Sequence, residues 1–221
     1  MTEHILRPPL AEQEVFIARG THNTVIYSPD QGIVRKYPFL EQFGPDICAM
    51  TAQQVSLWQN TFGEYCVPTE IKPHSRWGYE INQPYIPGLS AISRSDLLTE
   101  PYLRGQLMEI LGLNKRLIDS GLSYDILGLT EHQKILRFVA KVCKNIPGIR
   151  EHAYVPEIKL GNITYDEDKR IRLVDFGILQ RRPVANAGLK GFLSGMLMAD
   201  QAAILRKNFG IDIDQGTISE P

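Results

Sequence analysis

Apolar residues change their rhythm a little over a third of the way along the chain. Up to residue 83 they come in short runs separated by Gly, Asn, Asp and Pro, the punctuation of β-strands and tight turns. Glu14-Val15-Phe16-Ile17, Thr24-Val25-Ile26-Tyr27 and Ile33-Val34-Arg35-Lys36-Tyr37 are predicted strands, and Tyr65-Cys66-Val67 and Trp77-Gly78-Tyr79-Glu80-Ile81 are two more. One helix interrupts them. Between Asp46 and Phe62, Ile47, Met50, Gln54, Leu57, Trp58 and Thr61 recur at helical steps, with Asp46 after Pro45 as the expected cap. Beyond Gln83-Pro84-Tyr85-Ile86-Pro87-Gly88 the period lengthens. Residues 101–119, 131–145 and 189–207 carry apolar residues three and four apart and read as helices. A late pair of strands, Ile163-Thr164-Tyr165 and Ile171-Arg172-Leu173-Val174, is joined by the charged turn Asp166-Glu167-Asp168-Lys169-Arg170. The expected architecture is a small β-rich part followed by a larger helical part, without internal repeats or a long linker.

Composition narrows the class without naming it. The chain has 221 residues, 43% hydrophobic and 22% charged, enough apolar surface for a real core. A net charge of −1 and a pI near 6.5 leave no basic footprint for nucleic acid or an anionic membrane. No apolar run approaches the ~20 residues of a membrane span, and MTEHILRPPLAEQE lacks the apolar core of a signal peptide. Cys48, Cys66 and Cys143 never form a Cys-x-x-Cys, and His4, His22, His74, His132 and His152 are scattered. The expectation is a cytoplasmic protein with reduced cysteines and no transition-metal site.

The late hairpin carries the strongest chemical signal. Asn162 and Asp175 sit at its two outer ends, thirteen residues apart, so they can converge. An amide carbonyl and a carboxylate are hard oxygen ligands suited to Mg²⁺, and a need for that cation points to a nucleotide.

Other stretches stand in a recognisable order around this pair. Arg19-Gly20-Thr21-His22-Asn23-Thr24-Val25 lies between the first two predicted strands, and Val34-Arg35-Lys36 falls within the third. Pro84-Tyr85-Ile86-Pro87-Gly88 joins the two parts, and Asp175 opens Asp175-Phe176-Gly177. Together, over most of residues 14–178, they resemble the protein-kinase-like superfamily. The resemblance implies a two-lobed α+β fold, with residues 1–86 as a β-rich N-lobe containing one helix and 87–221 as a helical C-lobe. That C-lobe would be truncated, because only a dozen residues separate Asp-Phe-Gly from the last predicted helix and no Ala-Pro-Glu follows.

The same resemblance implies ATP and Mg²⁺ as cofactors. The loop with Gly20, Thr21 and Asn23 would cover the phosphates with backbone N–H groups, and Lys36 would neutralise them. The Pro84 carbonyl and the Ile86 N–H would read the adenine edge, while Asn162 and Asp175 would hold the metal. Two departures stand out. The family places a glutamate on the helix after the lysine strand, but none occurs from Gln42 to Gly63; Gln53 or Gln54 lies nearest, and Glu41 just precedes. The catalytic base has two candidates. Asp125, in LIDSGLSYDILGL, requires residues 128–159 to be an insertion; Glu157, five residues before Asn162, comes with the loop lysine Lys159. The implied function is ATP- and Mg²⁺-dependent phosphoryl transfer to a hydroxyl of a protein or small molecule, with no nucleic-acid or membrane partner. The alternatives are a pseudokinase, a nucleotide-binding or regulatory module with little turnover, and an interaction domain that binds no nucleotide.

Overall fold

The computed structural model describes residues 14–19, 23–38, 46–127, 159–180 and 201–219. They belong to two compact units, Met1–Pro87 and Gly88–Pro221. The fold is mixed α+β, and its sheets are antiparallel.

In the first unit β1 (Val15–Arg19), β2 (Asn23–Ser28), β3 (Ile33–Pro38), β4 (Glu70–His74) and β5 (Gly78–Pro84) form one sheet in the order β1-β2-β3-β5-β4. Along β2 burial alternates residue by residue, as the pleat dictates. Register sorts the side chains into two faces. Thr24 and Ile26 lie opposite Tyr37 and Arg35 on one face, where Ile26, Tyr37 and Trp77 form a buried cluster. Val25, Lys36 and Ile81 line up across the other.

Helix α1 (Ile47–Phe62) packs against β4 and β5. Its buried stripe is Thr51, Val55, Trp58 and Phe62, the i, i+4, i+7, i+11 face of a helix. That corrects the expected face: Met50 is 56% and Leu57 38% exposed. Thr51 can be buried because its hydroxyl donates to the Ile47 carbonyl. Asp46 stands at the N-cap, but its side chain makes no capping hydrogen bond. The strand expected at Tyr65-Cys66-Val67 is also corrected. A 3₁₀ turn, Gly63–Tyr65, runs into Cys66, and the strand starts only at Glu70. Burial and a single bridge residue, not a full strand, account for that apolar run: Cys66 forms the bridge, and Cys66 and Val67 are buried, with the Cys66 thiol donating to the Trp58 carbonyl. Burial also pushes the thiol pKa up to about 12. The true strand β4 is a sheet edge containing Pro73, a residue that edges tolerate and centres do not.

The second unit begins with β6 (Ser90–Ile92), α2 (Arg94–Thr99) and α3 (Pro101–Asp119). Helix α3 matches the predicted range, and it buries Leu103, Leu107, Ile110, Leu111, Asn114, Leu117 and Ile118. The sequence analysis did not foresee α2. Ser93 and Asp96 close its first turn as a reciprocal capping box. The chain leaves α3 through Gly121, at φ 81°, where an L side chain would be strained. It then enters β7 (Leu122–Tyr124), β8 (Leu160–Tyr165), β9 (Ile171–Leu173) and β10 (Ile178–Gln180). A helix over 201–209 is followed by the short pair β11 (Ile211–Asp212) and β12 (Thr217–Ile218). The predicted helix at 131–145 lies outside the described residues, as do residues 189–200 of the last one. No described helix is long and apolar enough to cross a membrane.

Candidate functional site

The hairpin β8–β9 is built from its turn outwards. Asp166 Oδ1 accepts from the N–H groups of Asp168 and Arg170 at 3.1 and 2.9 Å, and Oδ2 accepts from Arg172 Nε at 3.0 Å. Burial pushes this carboxyl pKa up, but the Arg170 N–H, the Arg172 guanidinium and the Asp168 N–H outweigh it and hold the group below its ordinary value. The turn fixes the register, with Tyr165 opposite Ile171, Thr164 opposite Arg172 and Ile163 opposite Leu173. Asn162, in β8, and Asp175, two residues after β9 ends, follow just beyond the last pair on the two arms of the hairpin.

A third segment meets them there. Strand β7 pairs with β10, Tyr124 opposite Ile178, so the chain after β7 runs beside Asp175-Phe176-Gly177. The Asp125 N–H donates to the Gly177 carbonyl at 2.8 Å. Asn162 Nδ2 donates to the Asp125 carbonyl at 2.7 Å. This bond fixes the amide plane, so its nitrogen faces Asp125 and its oxygen turns the other way. Tyr124, fully buried, sends its hydroxyl towards the Asp175 carbonyl at 2.7 Å and the Asn162 carbonyl at 3.1 Å. One phenolic proton thus bridges the backbones of both predicted metal ligands. The approach is close: a Cβ on Gly177 would stand 3.2 Å from Asp125 Cβ and 3.8 Å from Asn162 Nδ2.

Buried amides hold this segment from behind. Asn114 Oδ1 accepts from the Tyr124 N–H at 2.8 Å. Gln201 Nε2 donates to the Tyr124 carbonyl at 3.0 Å, and its Oε1 accepts from the Leu127 N–H at 3.3 Å. Both amides are almost wholly buried, and buried polar groups so satisfied rigidify their surroundings. Tyr124, Asn114 and Gln201 escaped the sequence analysis. Most of their bonds are to backbone groups, which leave no spacing motif; the only local hint was Tyr124 standing next to Asp125.

Of the predicted site residues, Asp125, Asn162 and Asp175 come together in the second unit. Asp125 is buried at 8% exposure, and the other two are half-buried. Lys159 is exposed just ahead of β8, where its charge acts on Asp96 of α2. Glu157 lies outside the described residues. In the first unit Lys36 is half-buried in β3, between Val25 and Ile81. Asn23 opens β2 opposite Pro38, while Gly20, Thr21 and Glu41 lie outside the described residues. Pro84 ends β5 opposite Ile33, and Ile86 follows half-buried. Between them the Tyr85 N–H donates to the Gly32 carbonyl at 2.8 Å, and the Tyr85 ring lies 4.2 Å from that of Tyr27. Gln53 and Gln54 are exposed on α1.

Among the described residues no group of three or more His, Cys, Asp or Glu could hold a metal unaided. Mg²⁺ bound with substrate phosphates needs only one or two carboxylates, the phosphate oxygens and water completing the shell. Asp175 and the Asn162 amide oxygen fit that sparse donor set.

No family profile and no curated protein matches this chain. Among solved structures, it is similar to the choline kinase LicA from Streptococcus pneumoniae and to LicA in complex with AMP. Each comparison gives a TM-score of 0.35 and 12% identity, covering 93% of this chain and 77% of the other. A TM-score so low carries neither activity nor residue roles across.

Proposed function

We propose that the protein is an ATP- and Mg²⁺-dependent phosphotransferase acting on a hydroxyl. The observation that supports this most is the hydrogen-bonded convergence of Asp125, Asn162 and Asp175-Phe176-Gly177 within the second unit. In this reading Asn162 and Asp175 hold Mg²⁺, which when bound neutralises charge on the phosphates. Asp125 is the base. It accepts the acceptor's hydroxyl proton as that oxygen bonds to the γ-phosphorus, and the bond from phosphorus to the ADP oxygen breaks. Lys36 contacts the phosphates, and the Pro84 carbonyl and Ile86 N–H take the adenine. Glu157 is the alternative base. The acceptor is a protein or small-molecule hydroxyl.

A second reading, a pseudokinase that binds nucleotide with little turnover, is favoured by α1. That helix contains no acidic residue, and Gln53 and Gln54 are exposed, a departure from the family's pattern. Thermal shift with ATP or adenosine, each with and without Mg²⁺, tests binding; ATP turnover then separates the two readings. Asp175→Ala should remove the Mg²⁺-dependent part of the ATP shift. Lys36→Ala should weaken ATP by about ten- to a hundred-and-fifty-fold, the equivalent of a charge-assisted contact, and leave adenosine unchanged. No shift with ATP under either condition would exclude both readings.

A further inference from the structure

The second unit also contains a cavity of about 230 Å³ between α2, α3, the 201–209 helix and β12. Its lining is mixed: Leu97, Leu98, Phe209 and Ile218 give it apolar patches, and Arg94, Arg104, Arg206 and Lys207 supply its charge. Four cations around one cavity in a chain of net charge −1 are a local excess. The neighbouring carboxylates do not cancel it. Asp212 takes Arg206 at 2.8 Å, Asp96 is turned into the Ser93 capping box, and Glu100 faces Lys169 at 3.6 Å. Among the described residues no carboxylate pairs with Arg94, Arg104 or Lys207. Arg104 is held in place through one nitrogen, its Nη2 lying 3.4 Å from the Ile218 and Ser219 carbonyls. A guanidinium has five N–H donors, so most of its fork remains for a ligand. Leu98, beside these charges, is 53% exposed.

We propose that this cavity binds a small organic phosphate monoester. Guanidinium forks match phosphate oxygens in bidentate fashion, and the leucine and phenylalanine walls accept a short apolar group. The volume is below the ~300–1,000 Å³ of sites for drug-sized ligands, so the apolar part is about one ring or a short chain. The proposal is independent of the phosphotransferase reading.

Calorimetric titration of the full chain with phenyl phosphate tests it, with inorganic phosphate and phenol as the charge-only and apolar-only probes. Phenyl phosphate should bind at least about ten-fold more tightly than either, since phenol lacks the charge-assisted bonds and inorganic phosphate lacks the buried ring, each worth about that factor. Arg94→Ala and Lys207→Ala should each weaken it several-fold, and Leu98→Glu should abolish it. All three positions are exposed, so an unchanged melting temperature verifies that each variant is folded. Asp175→Ala should leave the affinity as it is. Absence of saturable binding, equal binding of inorganic phosphate, or loss on Asp175→Ala would each overturn the proposal.

Discussion

Two elements expected to carry site residues, the β8–β9 hairpin and helix α1, keep their shapes by opposite means. In the hairpin a single carboxylate, Asp166, accepts three hydrogen bonds from residues two, four and six positions later. In α1 no side chain caps the N-terminus, and the buried stripe of Thr51, Val55, Trp58 and Phe62 settles which face is inward. One element is set by polar contacts close in sequence, the other by apolar contacts with β4 and β5. The two should therefore fail differently: α1 with the core of its unit, the hairpin with acid or with loss of one acceptor.

The largest effect is expected from Trp58→Ala. Trp58 is fully buried, and truncating such a side chain leaves a cavity costing about 3–5 kcal/mol. Urea denaturation should show that loss at every pH at which the parent is folded. A loss under about 1 kcal/mol would mean that α1 does not depend on its buried stripe.

Asp166→Ala comes next, at about 2–3 kcal/mol near neutral pH, because it removes several charge-assisted bonds at once. Here pH sharpens the contrast. The folded-state pKa of Asp166 lies below its ordinary carboxylate value. Its carboxylate therefore stabilises the fold fully above that value, and the contribution fades as pH falls through the lower folded-state pKa. The gap between parent and Asp166→Ala should shrink in acid, whereas the Trp58→Ala gap should not. Denaturation curves at pH 7 and about pH 3 decide it; a pH-independent Asp166→Ala gap would remove the ionic account of the turn.

Tyr124→Phe should cost less, about 1–2 kcal/mol, as one buried hydroxyl is lost and two carbonyls lose a donor. Its effect should be concentrated at the hairpin ends, because those carbonyls belong to Asn162 and Asp175. Amide hydrogen exchange should rise over residues 160–177 and stay constant over α1. A uniform rise through both units would make Tyr124 an ordinary core residue.

What the sequence disclosed follows the same division. Helix α3 and the hairpin were legible because periodic leucines and a charged turn are local signals. The face of α1 was not, since Met50 and Leu57 are apolar yet exposed and Thr51 is polar yet buried with its hydroxyl turned onto the Ile47 carbonyl. At the candidate site, the spacing of Asn162 and Asp175 marked positions on the two arms of a hairpin that a turn brings together. The Tyr124 hydroxyl reaches carbonyls 38 and 51 residues away. Any residue type supplies a carbonyl, so no pattern announces those partners.

The smallest effect is expected from Gln54→Glu, which supplies α1 with the acidic group that the kinase-like pattern would place there. Gln54 is exposed and immediately precedes the buried Val55. Glutamate and glutamine have nearly equal helix propensity, and exposed substitutions of this kind fall within about 0.5 kcal/mol. Stability should therefore be unchanged. A solvated carboxylate on the outer side of the helix is screened and gains little from a lysine in the sheet, so ATP affinity should also stay within about two-fold. The double variant Gln54→Glu with Lys36→Ala should then match Lys36→Ala alone. If Gln54→Glu instead strengthened ATP binding ten-fold, and Lys36→Ala erased the gain, residue 54 would have to reach Lys36. The inward face of α1 would then be set by the charge on the lysine as well as by its apolar stripe.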